Sequence, residues 1–181
     1  AGVPADITFD SIYSGKSQQA ALMMSSNNTL SHDPPGSWSC YTSEGAEAAG
    51  SSNLSLGNFG WDAVSGQIRD NGANNTLVGH RRWILYPQTQ VMGTGDVPSS
   101  TGYSSANSLW VFDGRYGTTR PETREAYVAW PPPGYVPYQV VPARWSFSYP
   151  DGDFSSASVT MTSGGEAVGV NVHTVATGYG E

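Results

Sequence analysis

One cysteine, Cys40, and one lysine, Lys16, stand among the 181 residues. With a single thiol, no disulfide can form within the chain, so nothing covalent staples the fold. Cys40 is expected either as a buried apolar thiol or as the partner of a cysteine outside this stretch. Charge of both signs is sparse, at 13% of residues against about 25% in an average soluble domain. The balance is acidic, with a net charge of −7. That excludes a protein that grips nucleic acid through dense phosphate contacts, and it excludes a basic helix lying on a membrane surface. Long hydrophobic runs are missing too, and none approaches the ~20 apolar residues that a membrane span needs.

Aromatic residues are plentiful by contrast. Six Trp, ten Tyr and five Phe are enough to build a core and exclude disorder for most of the chain. Glycine and proline are also raised, at 22 and 12 residues. The composition is that of a rigid, low-charge globular protein of the kind often found outside cells.

The two halves differ in texture. Residues 1–86 alternate short helical patterns with loops. Ser14 to Asn27 reads as a helix with Ala20, Ala21, Met23 and Met24 as its apolar stripe. Pro34 and Pro35 hold open the loop that carries His32. A short helix is expected over Glu44 to Ala49, capped by Thr42 or Ser43. Trp61, Val64 and Ile68 mark one face of a further helix, which Asn71-Gly72 stops. Strands are then expected at Arg81 to Tyr86, Val91 to Gly95 and Ser108 to Asp113. Three successive prolines in the stretch 121–137 predict a stiff extended connector. Beyond it, Arg144 to Tyr149, Ala157 to Thr162 and Val168 to Val175 alternate as strands. Pro150-Asp151-Gly152 and Ser163-Gly164-Gly165 supply the turns.

Candidates for chemistry are few, because His32, His80 and His173 are the only histidines. His173 lies in a strand pattern and reads as an ordinary strand residue. His32 and His80 lie at loops beside charged neighbours, where two neutral imidazoles with carboxylates can hold a divalent metal. Arg81 and Arg82 are candidates for a bidentate anion contact or for pairing with local acids. No Gly-x-Ser-x-Gly elbow is present, so the usual α/β-hydrolase arrangement has no support.

Leu30-Ser31-His32, Gly50-Ser51-Ser52-Asn53-Leu54, Ala63-Val64 leading to Asp70, and Gly79-His80-Arg81-Arg82-Trp83 follow in order. In this series the chain resembles the CAP superfamily of cysteine-rich secretory, antigen 5 and pathogenesis-related proteins, and within it the bacterial secreted branch. The likeness covers roughly residues 5–115. It implies an α+β fold: a CAP-like α-β-α sandwich over 1–120 that lacks its usual first helix, followed by the connector and a partial immunoglobulin-like antiparallel β-sandwich over 138–181. It implies too that the chain is a segment of a longer polypeptide, or a processed form.

The resemblance also implies a cleft with two histidines and two acidic residues, where some family members bind a divalent metal such as zinc. The histidines fall on His32 and His80, and one acid falls on Asp70 in place of the usual Glu. Ser52 stands where the other Glu is expected, with Glu47 on the preceding helix as its substitute. At about 100° per residue, Asp70 shares a helix side with Ala63 and Gln67, facing either the cleft or solvent.

Three functions are compatible with this reading. The first is an extracellular domain whose cleft binds a metal or small ligand in recognition of a lipid, glycan or cell-wall component. The second is a metal-assisted hydrolase of peptide or glycan, in which Asp70 or Glu47 activates water. The third is a structural surface module with no active site.

Overall fold

Asp10 starts the first helix, α1 (Ser11–Asn27), by accepting hydrogen bonds from the backbone N–H groups of Ile12 and Tyr13 at 2.8 and 2.9 Å. The helix therefore begins three residues before Ser14, at a side chain that satisfies two of its free N–H groups. It ends where Asn28 turns into the left-handed region and donates back to Met24 and Ser25. The second helix, α2 (Ser43–Gly50), is capped by Thr42, which accepts from the N–H of Gly45. These assignments come from a computed structural model that describes residues 1–173.

Among the described residues the remaining elements are α3 (Gly60–Arg69), α4 (Gly79–Ile84), eight strands and two short 3-10 turns, Ala73–Asn75 and Tyr138–Val140. Four of the strands make one sheet: β1 (Thr8–Phe9), β2 (Ser52–Leu56), β3 (Val91–Val97) and β4 (Ala106–Trp110). Their order is β1-β3-β4-β2. β1 runs parallel to β3, and the other neighbours are antiparallel. Alternation along β4 sorts its side chains between two cores. Ala106 and Trp110 join Ala20, Ala21 and Met24 of α1, Ala48 and Ala49 of α2, and Leu54 of β2. Leu109 and Val111 point to the other face with Met92, where Val64, Trp83 and Ile84 of α3 and α4 pack. Helices thus lie on both faces of the sheet in an α+β domain.

Helix α1 lies unusually close to β3. A Cβ built on Gly93 would fall 2.5 Å from the backbone of Tyr13, and one on Gly95 would fall 2.1 Å from the N of Gln18. Neither backbone can yield without moving the helix, so only glycine fits at these two strand positions. Beside this contact the Tyr13 ring stacks on Trp110 with centroids 4.3 Å apart.

Three expectations need correction. Arg81 to Tyr86 is not a strand, because its first part is the helix α4. The backbone N–H of Arg82 donates to Val78 O and that of Leu85 to Arg81 O, both at 3.0 Å, and this turn sets His80 and Trp83 on one side. Trp61 does not belong to a buried face, for it is 79% exposed. The buried positions of α3 are Ala63 and Gln67, and a polar Gln hides that face from any apolar pattern. Cys40 is exposed, with the Ser26 hydroxyl 3.4 Å from its sulfur.

Among the described residues the second half holds two short antiparallel ribbons. β5 (Val128–Trp130) pairs with β6 (Ser146–Ser148), and β7 (Met161–Ser163) pairs with β8 (Glu166–Val168). The stretch 121–137 is therefore part strand, since its Val128–Trp130 is hydrogen-bonded to β6. The strand expected over Val168–Val175 and the module expected over 138–181 run past residue 173, and there they lie outside the described residues.

Close packing at the two glycines predicts that Gly95→Ala destabilises the protein by at least about 3 kcal/mol, lowering Tm by roughly 6 to 12 °C. Gly66→Ala, in α3 with nothing within 4 Å of the added carbon, should leave Tm unchanged or raise it. Differential scanning calorimetry of the two variants checks the pair.

Candidate functional site

Residue 70 is where helix α3 ends. Its backbone sits in the left-handed region at φ 49° and its N–H donates to Gly66 O at 2.8 Å, so α3 stops one residue before Asn71-Gly72. The side chain continues the buried face of Ala63 and Gln67, which settles its direction. Asp70 is 1% exposed. Its Oδ1 accepts from Nδ1 of His80 at 2.9 Å, and its Oδ2 accepts from the backbone N–H of Arg81 at 3.3 Å. An ionised carboxylate only accepts, so the shared proton lies on His80 Nδ1, and Nε2 of the ring when neutral is an acceptor.

His32 is anchored in the same way from the other side. The loop opened by Pro34 and Pro35 brings its Nδ1 within 2.8 Å of Ala49 O at the end of α2. A carbonyl cannot donate, so this Nδ1 also carries its proton and Nε2 is again the acceptor. Both rings line one cleft of about 130 Å³ together with Asn53, Asn74, Asn75, Leu77, Gly79 and Trp83. Asn53 reaches it from β2 and donates to His80 O at 2.9 Å. Trp83 is backed by Phe112, with centroids 4.3 Å apart, and by the edge of Tyr116 at 5.8 Å. The cleft wall is therefore amide, imidazole and indole with the alkyl group of Leu77, and among the described residues no carboxylate, lysine or arginine lines it.

Arg81 is fully buried beneath this arrangement. Its Nε donates to Ile68 O at 2.6 Å, Nη2 to Arg69 O at 2.9 Å and Nη1 to Ser146 Oγ at 3.1 Å. It thus satisfies the last carbonyls of α3, a structural role that uses the donors an anion would need. Burial lowers the guanidinium to about 10, against the raising effect of Asp70, so it stays charged at neutral pH. Arg82 likewise donates to Leu77 O at 3.0 Å and to the hydroxyl of Ser148.

Of the sequence-predicted residues, then, His32 and His80 meet in the cleft, and Asp70 supports His80 from below. Glu47 is elsewhere: it forms an ion pair with Lys16 at 2.7 Å on the face where α1 meets α2. Ser52 does not reach the cleft either, since it pairs in register with Trp110 and lies on the α1 side of the sheet. Among the described residues no group of three or more His, Cys, Asp or Glu side chains is gathered to hold a metal ion. Sequence reasoning missed the three asparagines and Trp83. Asn53 and Trp83 stand inside the quoted motifs beside the chosen residues, whereas Asn74 and Asn75 come from a polar loop with no distinguishing pattern.

Residues 1–113 match the family model described as CAP: Cysteine-rich secretory protein family. No curated protein and no solved structure matches the chain.

Anchoring through Asp70 predicts that Asp70→Asn costs about 1 to 3 kcal/mol in urea unfolding. It should also release His80 toward the tautomer protonated at Nε2, read from the imidazole ¹⁵N shifts. An unchanged tautomer would show that another group orients the ring.

Proposed function

The chain belongs to the CAP, cysteine-rich secretory protein family, and on that premise we propose that it is an extracellular recognition protein whose cleft takes an uncharged, hydroxyl-bearing group of the glycan type. The reading is carried by the two imidazoles, each pinned through Nδ1, that offer their Nε2 acceptors to one cleft. Ligand hydroxyls donate to such acceptors. The amides of Asn53, Asn74 and Asn75 both donate and accept, which suits the alternating demands of a sugar. Trp83 adds an apolar plate for the ring face. A cleft of about 130 Å³ is small, which suits part of one sugar ring and not a long acyl chain. Its uncharged wall favours a neutral ligand over an acidic one. A place in the bacterial secreted branch, with a β module after the CAP domain, is part of the same reading, supported by the Gly79-His80-Arg81-Arg82-Trp83 segment.

A second reading has one specific observation behind it. A histidine whose Nδ1–H is held by a carboxylate is in the orientation that metal-bound imidazoles adopt, and His80 with Asp70 has that form. His32 and His80 would be the two protein ligands of a divalent ion. Asp70 has both oxygens engaged, and Glu47 is paired with Lys16, so neither completes a donor set. Two ligands do not fit a structural zinc site, which takes four. For the same reason no carboxylate is in place to activate water, and binding is proposed in preference to hydrolysis.

Amide NMR titrations of the whole chain with glucose, N-acetylglucosamine and zinc chloride separate these readings. The glycan reading expects millimolar binding of a sugar, with shifts at Asn74, Asn75 and Gly79. His80→Ala should weaken it by about threefold to tenfold, the worth of one hydrogen bond. Shifts with zinc alone would favour the metal reading. No shift with any of the three would leave a structural surface module.

A further inference from the structure

We propose that Arg144, outside the family match, is a positioning residue for the cleft, so that the segment downstream of the CAP domain completes the site. This rests on the reading of the cleft as a binding site, although the observations behind it concern the loop itself.

The loop from residue 70 to 78 brings Asn74, Asn75 and Leu77 to the cleft wall. It is a poorly self-supported piece of backbone. Three of its residues have positive φ, namely Asp70 at 49°, Gly72 at 101° and Val78 at 48°. Its internal backbone bonds are few, with Asn75 N donating to Gly72 O at 3.3 Å and Val78 N to Asn75 O at 3.0 Å. These sharp turns leave three carbonyls at separate points around the guanidinium of Arg144. Nη1 donates to Asp70 O at 2.6 Å and to Asn75 O at 2.8 Å, and Nη2 donates to Gly72 O at 3.1 Å. A flat fork of fixed donors suits three carbonyls held at different points. An ammonium, with one centre, does not.

The same segment continues the attachment at alternate positions. Ser146 accepts from Arg81 and Ser148 from Arg82, and these arginines belong to the helix that presents His80. Within β6 Ser146 and Ser148 share one face, and with Arg144 just ahead of the strand each ends on an element that frames the cleft. Trp145, Phe147 and Tyr149 point the other way and are 56%, 48% and 48% exposed. An alternation of polar contacts inward and aromatic rings outward is the reverse of an ordinary core strand. It is what a strand docked on a polar loop requires.

Hydrogen–deuterium exchange on the whole chain tests the proposal without any ligand. In Arg144→Ala the amides of 71–78 should exchange about tenfold faster or more, while those of β3 and β4 keep their protection. The His80 Nδ1–H signal should broaden, because Asp70 loses the bond that holds its carbonyl. Arg144→Lys guards against a variant that fails to fold, and it should recover only part of the loop's protection. Loop exchange unchanged in both variants would overturn the proposal. Equal acceleration throughout the sheet would overturn it as well, since Arg144 would then support the fold generally. A titration of Arg144→Ala with N-acetylglucosamine gives a separate arm, expected to show about tenfold weaker binding. Should the unmodified chain bind no sugar, the glycan reading fails while the exchange result still decides the role of Arg144.

Discussion

A carboxylate buried at residue 70 is the point on which the site depends. Desolvating a charge is costly unless each of its oxygens finds a hydrogen-bond donor. Asp70 meets that condition with the ring of His80 on one oxygen and the backbone N–H of Arg81 on the other, while the charged Arg81 side chain binds the helix end just before it. Those bonds join the end of α3 to the start of α4. They also fix which nitrogen of His80 faces the cleft. The left-handed backbone at Asp70 is what turns α3 off at the right residue, so the chain returns as a loop instead of a longer helix.

The sheet supplies the frame in which this can happen. Gly93 and Gly95 let α1 settle onto β3 at backbone contact, and the apolar face of α1 fills the core behind β2 and β4. With that face occupied, alternation leaves Asn53, Asn107 and Leu109 to the opposite side, where α3 and α4 lie. Asn107 takes the amide of Gln67 at 3.0 Å, which explains why a polar residue is tolerated on the buried face of α3. The loop of His32 is anchored to the end of α2, and α2 is held by α1. Both imidazoles thus trace back to one packed helix–sheet interface.

Some of this was legible beforehand. Ala20, Ala21, Met23 and Met24 repeat at helical spacing and are all fully buried. The helix start at Asp10 was not legible, because Ser11, Ile12 and Tyr13 show no helical apolar spacing of their own. The segment Gly79-His80-Arg81-Arg82-Trp83 identified the family but not its own conformation. Trp83, Ile84 and Tyr86 have the preferences of a strand, and only the i to i−4 bonds reveal a helix. Glu47 had the right chemistry and the wrong neighbour, because Lys16 across the α1–α2 contact takes its charge.

By itself, the sequence determined the chemical inventory: one thiol that cannot staple, few charges, two motif histidines, and a series of short motifs that place residues 1–113 in their family. These are properties of residue identity and order, which folding does not alter. The tertiary structure alone decided which groups meet. It brought His32 and His80 to one cleft from segments 48 residues apart in the numbering, gave Asp70 a supporting place beneath the ring, and laid Arg144 under a loop that precedes it by some seventy residues. Local pattern cannot carry such pairings. They arise when helix and strand bury their faces together, and the polar groups left over must then find partners wherever the packing puts them.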